Sequence, residues 1–155
     1  MTSTAARSSF DDIAPQSALD IPDGFRPIDM GGPFMVHNGP LYGRWTGTQL
    51  LLGFRVEARH TNPLKMCHGG MLASFCDMLL PCAALYQGQI ERRFLPTISL
   101  QVDYMGSAPL GAWVQGEAAV LRTTRNMLFA QGLVSADGAP ALRVSGIFKM
   151  GPLIG

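Results

Sequence analysis

The chain has 155 residues, 47% of them hydrophobic and only 15% charged, against a usual charged share of about 25%. The length suits one domain, and the apolar content excludes a disordered chain. Two arrangements remain for so little charge: a membrane-embedded chain, or one that buries surface against copies of itself.

Residues 1–29 carry five Asp and two Arg, a net charge of −3, and eight of the ten basic residues that follow are Arg. No Lys/Arg run points to nucleic acid, so no nucleic-acid partner is expected. Residues 1–20 are rich in Ser, Ala and Asp without firm periodicity. Residues 1–30 are therefore expected to form a tail or short helix, and 31–155 a single domain. The start lacks the apolar core of a secretory signal. With three cysteines, an odd number, this leads to the expectation of free thiols and a cytoplasmic setting.

After a turn-rich stretch at 21–33, the run PFMVHNGPLYGRW contains Asn38-Gly39, a turn signal that fits a hairpin. Thr48 to Arg59 reads as a strand, and HTNPLKMCHGG as a loop. Gly70 to Tyr86 is the one strong helix candidate; it is apolar all round, and burial on every side is expected. Four strands follow, over Thr97–Met105, Ala112–Arg122, Met127–Ala136 and Ala139–Met150, with an Asp137-Gly138 turn between the last two. Together these elements describe an α+β domain in which an antiparallel sheet covers one helix. The apolar stretch Met71–Tyr86 contains Asp77 and Pro81 and falls short of the roughly 20 residues of a membrane span. No membrane partner is expected, and self-association becomes the better account of the missing charge.

Asp77 is the only charge between Met71 and Tyr86. An ionised carboxylate in apolar surroundings costs several kcal/mol unless paired or solvated. It either faces a polar gap or pairs with a distant Arg, or it is a catalytic acid in a cleft, where such groups concentrate. Pro81, four residues on, has no N–H for the Asp77 carbonyl, so the helix is expected to bend or loosen there. Upstream, His68-Gly69-Gly70 stands at the helix start. Its first N–H groups lack internal partners and suit an anion or a developing oxyanion.

The stretch Asn62-Pro63-Leu64-Lys65-Met66-Cys67-His68-Gly69-Gly70, followed by Asp77, resembles the active-site signature of hotdog-fold acyl-CoA thioesterases, most of all the phenylacetic-acid-degradation (PaaI-like) group. The resemblance covers roughly Phe34 to Lys149. It implies a hotdog fold, with an antiparallel sheet wrapped around one long central helix. It also implies that the Gly69 N–H polarises the thioester carbonyl, that His68 shapes the loop, and that Asn62 contacts the thioester or the attacking water. Asp77 would be general base or nucleophile, and Thr97 would assist it. Gly70 belongs to the same binding turn. Arg125, with Arg122, resembles the arginine turn near the CoA phosphates; a solvated surface role is the other reading of these two. Family members dimerise and combine the Asn and His-Gly of one subunit with the acid and hydroxyl of the other. A homodimer is therefore expected, paired into a homotetramer.

The sequence departs from the family pattern at two places. Lys65 stands where a Gly normally relieves backbone strain, and the run Met78-Leu79-Leu80-Pro81 replaces small residues, which is expected to reshape or narrow the acyl pocket. The resulting expectation is hydrolysis of an aryl- or medium-chain acyl-CoA, with coenzyme A entering only as part of the substrate and no further cofactor. The alternative is an acyl-CoA-binding or sensor protein without turnover. Cys67, Cys76, Cys82, His60 and His68 show no metal-ligand spacing, so no metal is expected.

Overall fold

A computed structural model describes residues 20–154. Seven strands form one antiparallel sheet in the order β1-β2-β3-β5-β6-β7-β4. In chain order they are β1 (Arg26–Ile28), β2 (Leu41–Trp45), β3 (Leu50–Arg55), β4 (Thr97–Tyr104), β5 (Trp113–Thr123), β6 (Met127–Ala136) and β7 (Ala139–Lys149). Helix α1 (Gly32–Asn38) lies between β1 and β2, a 3₁₀ turn covers Ala58–His60, and the long helix α2 (Gly69–Tyr86) precedes β4. This is the hotdog fold.

The sheet packs one face on α2 because buried inward residues of β5, β6 and β7 alternate with more exposed outward ones, as in a half-buried strand. Val114, Leu128, Val134, Leu142, Val144 and Phe148 face Phe75, Leu79 and Leu80 of the helix in one core. Close approach depends on two missing side chains. A Cβ on Gly116 would stand 2.6 Å from a Leu79 methyl, and one on Gly146 would stand 2.7 Å from a Leu80 methyl. The bulk after Asp77 is therefore absorbed by the sheet, and only Met78 and Pro81 of that run stay on the open side.

Two expectations about turns and strands are corrected first. No hairpin turns at Asn38-Gly39. Pro33 stands at the start of α1, where its missing N–H costs nothing, and Asn38 ends the helix by donating its side-chain amide to the Phe34 carbonyl. The hairpin is instead β2–β3, closed by Thr46, whose N–H reaches the Gln49 carbonyl. The strand expected to reach Arg59 stops at Arg55, because the chain turns through the 3₁₀ segment.

Helix α2 is also not buried on every side. Its Ala73, Ser74, Asp77, Met78, Pro81 and Leu85 form a half-buried stripe at helical spacing, left uncovered by the chain's own sheet. Pro81 does not interrupt the helix, which runs unbroken from Gly69 to Tyr86.

Candidate active site

The loop before α2 is closed by its own side chain. Asn62 Oδ1 accepts from the N–H groups of Leu64 (3.0 Å) and Met66 (3.2 Å), and the Asn62 N–H donates to the Met66 carbonyl at 2.8 Å. Lys65 takes up the left-handed turn with φ 58°, a conformation that costs an L residue roughly 1–2 kcal/mol. The loop thus closes with Lys65 in the geometry that a Gly would adopt freely. It is tied down by Leu110 N–H on the Lys65 carbonyl and by Cys67 N–H on the Ala108 carbonyl. Beside it, buried His60 accepts the Glu57 N–H at Nδ1 (3.0 Å) and meets the Asn38 carbonyl at Nε2 (2.7 Å), joining the loop to α1. Burial, with the Arg59 charge next, lowers the His60 imidazole below its ordinary range, so the ring is neutral and Nε2 donates.

His68 caps α2. Its Nδ1 accepts the Gly70 N–H at 2.9 Å, and its carbonyl accepts from Met71 (3.0 Å) and Leu72 (3.1 Å). Of the first-turn N–H groups, that of Gly69 has no partner among the described residues. It lies at the positive end of an 18-residue helix dipole. A cleft of about 240 Å³ opens at this helix end, lined by Phe34, Asn38, Arg59, His68, Gly70 and Ser74 among others.

Asp77 lies on the half-buried stripe of α2. The Thr97 hydroxyl donates to its Oδ1 at 2.6 Å, a short, charge-assisted bond. Thr97 reaches the helix because of a β-bulge. The register of β4 against β7 shifts between Thr97 and Ser99, so Thr97 pairs with Phe148 while Leu100, Val102 and Tyr104 pair with Gly146, Val144 and Leu142. Without the extra residue Thr97 would point away, since strand side chains alternate.

The structure brings Thr97 to Asp77, sets Gly69 and Gly70 at the helix start under the His68 cap, and uses the Asn62 side-chain oxygen to close the loop before them. It does not bring the acid and the helix start together. Asp77 lies eight residues after Gly69 in the helix, about 12 Å along the axis. Arg122 and Arg125 are exposed at the β5–β6 hairpin, at the same end of the sheet as Thr97. β7 lies between β6 and β4, so that hairpin is about 10 Å to the side. The sequence reading missed one residue at this site, Tyr104, whose hydroxyl donates to the Gly69 carbonyl at 2.6 Å. Its odd spacing from Thr97 hides the fact that both face α2.

The cysteines are poor nucleophiles. Burial pushes the Cys67 thiol up to about 12, and burial with the nearby Asp77 charge does the same for Cys76, so neither is a thiolate at neutral pH. Among the described residues, no group of three His, Cys, Asp or Glu side chains could hold a metal ion.

Residues 64–140 match the family model of the thioesterase superfamily, a span running from the loop before α2 to the start of β7. A Pseudomonas aeruginosa protein named as a candidate esterase is 26% identical over 133 residues, covering 85% of this chain and 98% of its own length. Among solved structures, thioesterase superfamily member 2 from Mus musculus superposes with a TM-score of 0.65 at 21% identity, covering 79% of this chain and 98% of that one. A Streptococcus pneumoniae protein described as a hypothetical thioesterase, in a crystal structure with coenzyme A, gives a TM-score of 0.64 at 14% identity (74% and 88% covered). A mutant of the phenylacetic acid degradation protein of Thermus thermophilus gives 0.61 at 22% (76% and 97% covered).

Proposed function

We propose that this chain, a hotdog-fold member of the thioesterase superfamily, hydrolyses an acyl-CoA to the free acid and coenzyme A through Asp77 and the Gly69 N–H. The observation that carries this reading is the pairing of an oriented carboxylate with an open helix-terminal donor. Thr97 holds Asp77 Oδ1, and the Gly69 N–H is the one first-turn donor without a partner among the described residues. A thioester needs a base or nucleophile on one side of its carbonyl and a donor for the oxyanion on the other. Asp77 removes a proton from water as water adds to the carbonyl carbon, or adds to that carbon itself and is then freed by water. Either way one water is consumed, the C–S bond breaks, and the thiolate leaves and is protonated. In single-turnover hydrolysis in ¹⁸O water, label in Asp77 identifies direct attack followed by addition of water at the Asp77 carbonyl carbon, and trapping of an acyl-Asp77 adduct identifies direct attack followed by addition at the acyl carbon.

The reacting carbon must lie about 3 Å from both groups, and about 12 Å of helix separates them in one chain. Two copies satisfy the requirement when the Gly69 turn of one faces the Asp77 of the other. The uncovered stripe of α2 and the free edge of β4 are surfaces available for that pairing, which is isologous in a two-fold dimer. Exposed Leu121 and Leu133 on β5 and β6 support a second pairing into a tetramer. The apolar residues next to Asp77 on the open stripe, Met78 and Pro81, suit an aryl or medium-chain acyl group. Arg122 and Arg125 are assigned to the CoA phosphates, which the forked guanidinium suits. Coenzyme A is part of the substrate, and the mechanism calls on no other cofactor. The unpaired thiols fit a reducing, cytoplasmic compartment.

The test is an initial-rate screen over aliphatic and aryl-CoA thioesters with the wild-type protein and Asp77→Ala. The expected result is turnover that falls at least ~10²-fold in the variant. Binding of CoA esters without turnover across the panel would instead establish the sensor alternative.

A further inference from the structure

We infer that Tyr104 is a positioning residue for the oxyanion donor: its hydroxyl, by holding the Gly69 carbonyl, fixes the aim of the Gly69 N–H. The inference rests on the proposed hydrolysis and extends it to a residue of the edge strand.

Glycine is the least restrained residue of the chain, and at the first position of a helix it has only half of its neighbours to hold it. Here both peptide groups flanking Gly69 are tied. The peptide after it is pinned at its oxygen by Tyr104 Oη (2.6 Å) and at its N–H by His68 Nδ1 (2.9 Å). The peptide before it is pinned at its oxygen, the His68 carbonyl, by the N–H groups of Met71 and Leu72. Among the described residues, the Gly69 N–H is the one end of this braced pair without a partner. The Tyr104 ring also covers the glycine, since a Cβ built on Gly69 would stand 3.5 Å from its Cζ and hydroxyl oxygen. A donor held in this way needs no reorganisation as charge develops, which is the source of oxyanion stabilisation.

Tyr104 and Thr97 occupy the two ends of β4; Tyr104 faces α2 by regular alternation and the bulge turns Thr97 to the same side. One edge strand thus braces both halves of the chemistry, Thr97 at the acid and Tyr104 at the donor turn. Partial burial raises the Tyr104 hydroxyl above its usual value, with the nearby Cys76 and Cys67 adding to the effect. It stays a protonated donor throughout the neutral range.

Tyr104→Phe removes only the hydroxyl and tests this directly. With the best substrate of the acyl-CoA panel, kcat is expected to fall about tenfold, in keeping with small misplacements of catalytic groups, while KM and the melting temperature stay unchanged. A second readout is spectroscopic. In an Asp77→Asn background, which holds the substrate uncleaved, the infrared carbonyl stretch of bound benzoyl-CoA is lowered by the oxyanion donor. Adding Tyr104→Phe is expected to move it back toward the free value. Wild-type turnover with an unchanged kcat in Tyr104→Phe overturns this inference alone. So does a kcat loss with an unmoved carbonyl stretch and a matching loss of melting temperature, which marks a structural role. Absence of turnover by the wild-type protein overturns the proposed function and this inference with it.

Discussion

Replacing Gly69 by proline separates catalysis from stability at a single atom. Gly69 is the first residue of α2, the helical position that proline tolerates best. His68 before it has φ −59° and ψ 136°, the extended region that a following proline demands. The N–H that proline lacks has no partner among the described residues, so no internal hydrogen bond is lost. The nearest atoms to a Cβ at this site belong to Tyr104, at 3.5 Å, an ordinary contact. Folding should therefore be undisturbed, or gain the ~0.4–1 kcal/mol that a compatible proline contributes by restricting the unfolded chain. Activity should fall by roughly 10²–10³, about 2.7–4 kcal/mol, as expected for one lost oxyanion donor. Gly69→Ala keeps the N–H and is the control. The assays are urea unfolding for stability and thiol release from an acyl-CoA for kcat/KM. A Gly69→Pro protein with wild-type kcat/KM would refute the assignment of this donor. A loss of several kcal/mol of stability would show that the N–H is engaged in the fold.

Three further outcomes follow from the same geometry. Thr97→Val removes the 2.6 Å hydroxyl bond to Asp77 and should lower kcat roughly tenfold or more, given what bonds to charged groups contribute; Thr97→Ser should keep most of it, as steady-state rates would report. Gly116→Ala puts a methyl 2.6 Å from Leu79 and should destabilise by about 1–3 kcal/mol through overpacking; a double-mutant cycle with Leu79→Ala should show favourable coupling. His60 is neutral and its imidazole is lowered in the fold, so below its unfolded value near 6.5 the unfolded chain takes up a proton that the folded chain does not. Unfolding free energy should therefore decline as pH falls below about 6.5. Urea midpoints at pH 7.5 and 5.5 should differ more for wild type than for His60→Gln.

The parts of this molecule legible in the sequence are those set by local pattern. Strand β6 has the bounds that alternation predicts, and α2 begins one residue earlier than its apolar run suggests. Asp77 is conspicuous because a lone carboxylate in an apolar helix has a large desolvation cost, whatever surrounds it. Contacts between distant segments leave no such trace. The stripe of α2 left open is marked in sequence only by Ser74 and Asp77 among apolar neighbours, and the sheet's position sets its extent. The fit of Leu79 and Leu80 over Gly116 and Gly146 depends on pairing across β5, β6 and β7. The bulge before Ser99 is a one-residue irregularity that reverses the face of Thr97, and strand periodicity alone gives the wrong side. Asn38-Gly39 fits a hairpin and a helix end equally well, and Pro33 five residues earlier favours the helix.

The central claim is that each site draws its acid from one copy and its oxyanion donor from another. Mixing tests it most directly. Asp77→Asn and Gly69→Pro chains are each expected to be nearly inactive. Co-expressed in equal amounts, half of the two-fold dimers are mixed, and each mixed dimer has one site with both groups intact. The mixture should regain about a quarter of wild-type activity. A mixture whose chains are shown to associate, yet which stays at the level of its inactive parents, would contradict a site shared between copies.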